Sequence, residues 1–184
     1  MKIRLPHAPY IANKVAIDML NSGFIKLTQG IEPVAKMASE YIEEDIKKEL
    51  ALEERVNEIL DENEDDIEFM QVDRKSMFWL VKKKLAKDFE VLLSYEDRFN
   101  EIAHKILENA WKQGLIEYSV SENRVKNVIY NSIEQYLENF EGIEDEVATQ
   151  IENYKRKLIP GSAEYDLVFE RLYEEELRRR GMLL

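Results

Sequence analysis

Cysteine is missing altogether from these 184 residues, and with it go disulfides, thiolate metal sites, iron–sulfur clusters and a cysteine nucleophile. The same absence suits a reducing cytoplasm, which is the expected location. Apolar runs of the roughly 18 residues that a membrane helix needs are absent too. The opening Met1-Lys-Ile-Arg-Leu-Pro carries basic residues with no apolar stretch behind them, so it does not read as a signal peptide. Only two histidines, His7 and His104, are present. Glycine-rich phosphate loops, a Gly-x-Ser-x-Gly elbow and a Ser/His/Asp order are all lacking, which leaves no motif for the common phosphate or acyl chemistries. Four prolines and six glycines against 45% hydrophobic residues describe a globular, helix-rich chain. Its size allows about 70% of the unfolded surface to be buried without a covalent staple.

What is abundant is acid. The net charge of −12 is spread over both halves and opposes non-specific attraction to nucleic acid or anionic lipid, which depend on clustered lysine and arginine. No membrane association is expected.

The chain also repeats itself. Residues 12–61 shifted by 91 positions fall on 103–152, with Ala12 on Ala103, Lys14 on Lys105, Gly23 on Gly114, Ile25 on Ile116 and Val34 on Val125. Glu53 meets Glu144 and Val56 meets Val147. With one added residue, Val81-Lys-Lys-Lys-Leu85 faces Tyr173-Glu-Glu-Glu-Leu177. Identity is low, and the apolar pattern with its paired glycines carries the repeat. The expected fold is all-α, a helical bundle made of two related units of about four helices each, 1–91 and 92–184, packed together across the short segment 90–94.

Periodicity predicts a first helix over 9–22, with Ile11, Val15, Ile17, Met19 and Leu20 apolar, stopped by Gly23. Gly114 repeats that stop after a helix begun by the capping box Ser94-Tyr-Glu-Asp97. Second helices are expected over 33–50 and 122–140. Ala51 lets the first of these continue or bend gently into 52–63, whereas Gly142 is expected to break the second before a further helix over 143–158. Final helices are expected over 73–89, with Met77, Leu80, Val81 and Leu85 as the apolar stripe, and over 162–180, stopped by Gly181. No strand is expected.

The segments Leu5-Pro-His-Ala-Pro-Tyr-Ile-Ala-Asn-Lys, Asn21-Ser-Gly-Phe-Ile, Glu43-Glu-Asp-Ile-Lys-Lys and Val72-Asp-Arg-Lys resemble a bacterial family known only as domain of unknown function 507. The resemblance covers the whole chain. It implies a bacterial, soluble, helical protein with no assigned activity and supplies no catalytic motif.

Three constellations are candidates for chemistry. Glu101 and His104 have the Glu-x-x-His spacing of a helix-borne metal pair, but a di-metal bundle needs a second such pair, and Asn13 stands where its histidine should be. Asp61, Asn63 and Asp65 match the first, third and fifth positions of a calcium loop, yet Asp66 replaces the glycine and Val72 the closing glutamate. The surrounding stretch 53–68 holds nine acids and one base, the composition of a solvated face. No metal or other cofactor is expected. The third constellation is basic: Arg74, Lys75, Lys82, Lys83, Lys84 and Lys87 with Phe78 and Trp79 among them, a pattern able to grip a nucleic-acid backbone and stack on bases. The acids of 53–68 and 170–176 are competing internal partners for those lysines. Arg178-Arg-Arg180 suits the end of a helix dipole without any partner. The favoured function is therefore a non-enzymatic interaction or scaffold protein that binds another protein or itself, with nucleic-acid binding through 74–87 as the alternative and a metal-dependent helical enzyme third.

Overall fold

In the computed structural model, residues 3–154, 157–180 and 182 are described. A single 3₁₀ turn, Leu5–His7, leads into α1 (Ala8–Asn21), whose first turn tolerates Pro9 because its N–H has no helical acceptor to lose. Ala8, Ile11, Ala12, Val15, Ala16 and Met19 give α1 one fully buried face. Ser22 closes the helix and Gly23 takes φ +79°, a conformation a side chain would resist. The same stop follows α5 (Tyr95–Lys112), where Gly114 sits at φ +66°. There the Gly114 N–H donates to Trp111 O at 3.0 Å and the Leu115 N–H to Ala110 O at 2.9 Å, so the last carbonyls are satisfied by a Schellman turn. Ser94 caps the start of α5 by accepting from the Asp97 N–H, as its spacing predicts.

Two short strands then correct the expectation of none. β1 (Ile25–Leu27) and β2 (Ile116–Tyr118) pair antiparallel, with Lys26 opposite Glu117 on the central rung and its Nζ 3.2 Å from the carboxylate. Three residues are too few to display an alternating pattern, so periodicity could not reveal them.

The long helices are also less interrupted than the sequence suggests. α2 runs from Ile31 to Glu62 and α6 from Glu122 to Glu152. Residues 52–62 and 143–152 are thus the closing stretches of single helices, and Gly142 breaks nothing. A helical glycine costs about 1 kcal/mol relative to alanine. Against this, Phe140, Ile143, Val147 and Ile151 carry the buried stripe straight across it, each a side chain whose burial is favourable by roughly 1.5–3 kcal/mol. After α2 come α3 (Glu64–Phe69) and α4 (Arg74–Leu85), the latter capped by Asp73, which accepts from the Ser76 N–H at 2.9 Å. The stripe of α4 differs from expectation in one position, since Leu80 faces solvent. α7 (Ala163–Arg179) completes the fold, with Leu172, Tyr173 and Leu177 buried; Gly181, its expected stop, lies outside the described residues. The described residues form seven α-helices, one fewer than the expected eight.

α1 packs on α2 and α6, and α5 packs on α6 and α2. α4 lies on α2, and α7 on α6. The main core runs through all of these except α4. A smaller cluster of Leu52, Val56, Leu60, Ala86 and Val91 joins α4 and the turn after it to the second half of α2.

Candidate functional site

α4 divides its cations between inside and outside. Lys82 is buried, its Nζ 2.8 Å from Glu49 on one side and 2.8 Å from Glu53 on the other. Glu49 in turn accepts from Arg98 at 2.7 Å, and Arg98 also pairs with Asp45. Burial works to lower the Lys82 pKa, but the Glu49 and Glu53 carboxylates outweigh it and hold the ammonium above its usual range. Burial likewise pushes Glu49 up, and Lys82 and Arg98 bring it below the ordinary carboxylate range. Every charge here has its counter-charge, so the cluster is a structural ion network. Arg74 pairs with Asp61 across to α2. The 53–68 acids therefore claim two of the predicted nucleic-acid contacts, Arg74 and Lys82.

Lys75, Trp79, Lys83 and Lys84 stay on the outside of α4, Lys87 is exposed in the turn that follows it, and Phe78 is half-buried. Trp79 is 56% exposed, and its ring also receives the Lys82 ammonium at 5.2 Å. Leu80 beside it is open to solvent. Just before α4, Phe69 and Met70 are 87% and 69% exposed, with Val72 next to them. Gln71, between Met70 and Val72, adopts φ +53°, which turns the chain sharply at this point. Beneath the turn, Ile59, Ile67, Met70, Val72, Met77 and Val81 line an apolar groove of about 220 Å³.

The two weak metal constellations stay apart. Glu101 and His104 lie on the exposed face of α5, and Glu101 is 3.5 Å from Lys105. Asp61, Asn63 and Asp65 are exposed at the junction of α2 and α3, where Asn63 donates to Ile59 O at 2.7 Å and Asp61 is paired with Arg74. Among the described residues no three His, Asp or Glu side chains converge in a manner that would hold a metal ion.

A cleft of about 810 Å³ between the 3₁₀ turn, the start of α1 and α7 carries residues that sequence reasoning passed over. His7 lies on the Phe140 ring, centroids 4.2 Å apart, and burial followed by the nearby Arg4 charge lowers its pKa to about 4. The Tyr136 and Tyr173 hydroxyls meet at 2.7 Å, and burial pushes Tyr173 up to about 12 and Tyr136 higher still. Tyr10 is raised to about 12 by burial and then by Glu174, to which its hydroxyl donates at 3.3 Å. In sequence the one sign of this site was His7 held between Pro6 and Pro9, a segment too constrained to be a loose tail. A second cleft, of about 920 Å³, lies between α2, α5 and the segment joining α4 to α5. Lys48 there bridges Glu44 and Glu90, so the charges of its walls largely satisfy one another.

No described helix is long and apolar enough to cross a membrane. Residues 1–182 match the family described as "Protein of unknown function (DUF507)". No curated protein matches the chain.

Proposed function

We propose that this chain, which belongs to the DUF507 family of proteins of unknown function, is a non-enzymatic helical adaptor that docks a partner protein, or a second copy of itself, through its α3–α4 end. The observation that carries this reading is the concentration of Phe69, Met70, Val72, Trp79 and Leu80 on the outside of that end. Large apolar side chains scattered singly over a surface need no explanation, whereas five exposed ones between 69 and 80, with Met70 and Val72 lining an open apolar groove, point to a contact surface. Aromatic residues at the centre and charged residues around them are the usual anatomy of such surfaces, and Lys75, Lys83 and Lys84 supply the rim.

The adaptor reading includes two related units, 1–91 and 92–184. Supporting it, the β1–β2 ladder is centred on Lys26 and Glu117, residues 91 positions apart. The packing is reciprocal as well, with each unit's first helix lying against the long helices of both. Such an arrangement imitates a twofold homodimer within one chain and offers two faces. They are not interchangeable, since one bears Lys82-Lys-Lys84 where the other bears Glu174-Glu-Glu176. The lack of cysteine supports a cytoplasmic setting for this role, and the family resemblance supports a bacterial one.

The test is capture from the native host by cross-linking, comparing the natural chain with Trp79→Ala and with Phe69→Asp/Leu80→Asp. A stoichiometric partner that survives high salt and falls by roughly tenfold or more in the variants is the expected result. Equal recovery by the natural and substituted chains, with both folded, would remove this surface from consideration. The exposed Trp79, Lys83, Lys84 and Lys87 favour one second reading, nucleic-acid binding. It requires recovery of nucleic acid that fades steeply with salt and depends on those lysines. With Lys82 and Arg74 already committed to carboxylates, its contact stripe is narrower than the sequence suggests.

A further inference from the structure

The cleft beside His7 combines three features that point to one class of ligand. Its first feature is a row of rings: Tyr10 meets Tyr173 edge-on at 5.6 Å, and Phe169 stacks on Tyr173 at 6.1 Å. Ring faces attract cations, most strongly where water is partly excluded. Its second feature is uncompensated acid. Glu144, Asp166, Glu170 and Glu174 border the cleft, with Arg178 as the bordering cation. Arg4 takes Glu144 at 3.0 Å and Arg178 lies 3.6 Å from Glu174. Asp166 and Glu170 remain exposed, outside the ion pairs of the described residues.

The third feature is His7, a side chain only 7% exposed. Its Nδ1 accepts from the Arg4 backbone N–H at 3.4 Å, which leaves the neutral ring's proton on Nε2. Nε2 has no hydrogen-bond partner among the described residues. No fully buried side-chain nitrogen or oxygen there lacks a partner, so Nε2 is not sealed from solvent, and the cleft that His7 lines is the opening available to it. The site thus presents one directed N–H donor together with cation-attracting rings and two carboxylates.

We propose that this cleft binds a lysine or arginine residue, its cationic side chain lying on the Tyr10–Tyr173–Phe169 row beside Asp166 and Glu170, and its main-chain carbonyl accepting from His7 Nε2–H. The chemistry is shared by a basic segment of a partner chain and by a free basic amino acid. It is independent of the α3–α4 surface, and its failure would leave that reading untouched.

A titration of the whole protein followed through the His7 ring resonances tests it, with His104 on exposed α5 as internal reference. The probes are free arginine, Nα-acetyl-arginine amide, a capped peptide Ala-Ala-Arg-Ala-Ala, and n-butylguanidinium, which has the cation but no carbonyl. Saturable shifts at His7 with none at His104 are expected, and roughly tenfold weaker binding in Asp166→Asn/Glu170→Gln, substitutions at exposed positions that leave the fold intact. Asp65→Asn/Asp66→Asn, at the α3 acids, should bind as the natural chain does. n-Butylguanidinium should bind more weakly than the arginine amide, and equal affinity would overturn the His7 contact. A peptide that binds at least as tightly as free arginine assigns the site to a basic segment of a partner chain, while free arginine binding tighter than the peptide and the capped residue assigns it to the free amino acid. Parallel, non-saturating shifts at both histidines, or full affinity in Asp166→Asn/Glu170→Gln, would overturn the proposal.

Discussion

Where α2 meets α4 and α5 a buried set of ions lies beside the apolar core, and where α6 meets α7 a buried set of rings does. In the first, Lys82 and Arg98 share Glu49, with Asp45 and Glu53 completing the set. In the second, His7, Tyr136, Phe140 and Tyr173 lie on one another. Asp45 and Tyr136, Glu49 and Phe140, and His7 and Arg98 are each 91 positions apart in the chain. Similar helix pairs therefore accept opposite chemistry, provided each cluster is complete in itself. A lone ion among the rings, or a lone ring among the ions, would leave an unpaired charge.

The sharpest way to break the comparison is Lys82→Met. Glu49 would keep Arg98 alone and lose its second counter-charge while still buried. Removing one partner from a buried ion set costs about 3–5 kcal/mol, to be read from urea unfolding. Changing both, Glu49→Met with Lys82→Met, should return part of that loss, since Arg98 retains Asp45. A loss under about 1 kcal/mol in the single variant would mean that the ions are solvated after all.

Tyr173→Phe is the counterpart among the rings. It strands the fully buried Tyr136 hydroxyl, at a cost of about 1–3 kcal/mol in the same assay. The double variant Tyr136→Phe/Tyr173→Phe should lie close to the natural chain, because neither hydroxyl is then left unpaired.

The two clusters also differ in how they meet acid. His7 has a folded pKa of about 4 against 6.5 for the free side chain. The unfolded chain therefore takes up a proton below pH 6.5 that the folded chain refuses until about pH 4, so stability falls as pH drops through that window. By pH 5.5 the loss relative to neutral pH should reach up to about 1 kcal/mol, and His7→Phe should abolish it. The ion cluster behaves otherwise. With Glu49 held below its ordinary range, the cluster's stability is complete above about pH 4.5 and is lost only at more acid values. Unfolding curves at pH 7, 5.5 and 3.5 separate the two contributions.

The smallest effect concerns the long helices. Gly142→Ala has open space for its Cβ and should stabilise α6 by about 0.5–1 kcal/mol, visible as a rise in Tm.

Features set by neighbours in sequence were legible in advance. The stops at Gly23 and Gly114 and the Ser94 cap were readable because a helix end is decided within a turn of itself. Gly142 is the complementary case: its local penalty is real, but Ile143 and Val147 belong to the main core that α6 shares with α1, α5 and α7, which no local window includes. The same limit hid the candidate site. Nothing in Lys82-Lys-Lys84 distinguishes the middle and last lysines, which stay outside, from the first, which turns inward to meet Glu49 from thirty-three positions away. In sequence His7 is only a residue of the Pro-flanked segment before the first helix, and the approach of Phe140 and α7 makes it the wall of a cleft. Trp79 falls outside the apolar stripe already in the sequence, whereas Leu80 sits at the stripe's margin and turns to solvent.

The reciprocal packing of α1 has a consequence for the order of events on the ribosome. α1 and α2 are synthesised together and can pair at once, yet the partners of Arg4, His7, Tyr10 and Asp18 are Glu144, Phe140, Glu174 and Ser132. More than a hundred residues must emerge before any of those contacts can close. Throughout that interval the 4–18 segment waits without those partners, and contacts so distant in sequence form slowly. Although α1 is synthesised ahead of α2–α7, it is consequently among the last of them to be finished.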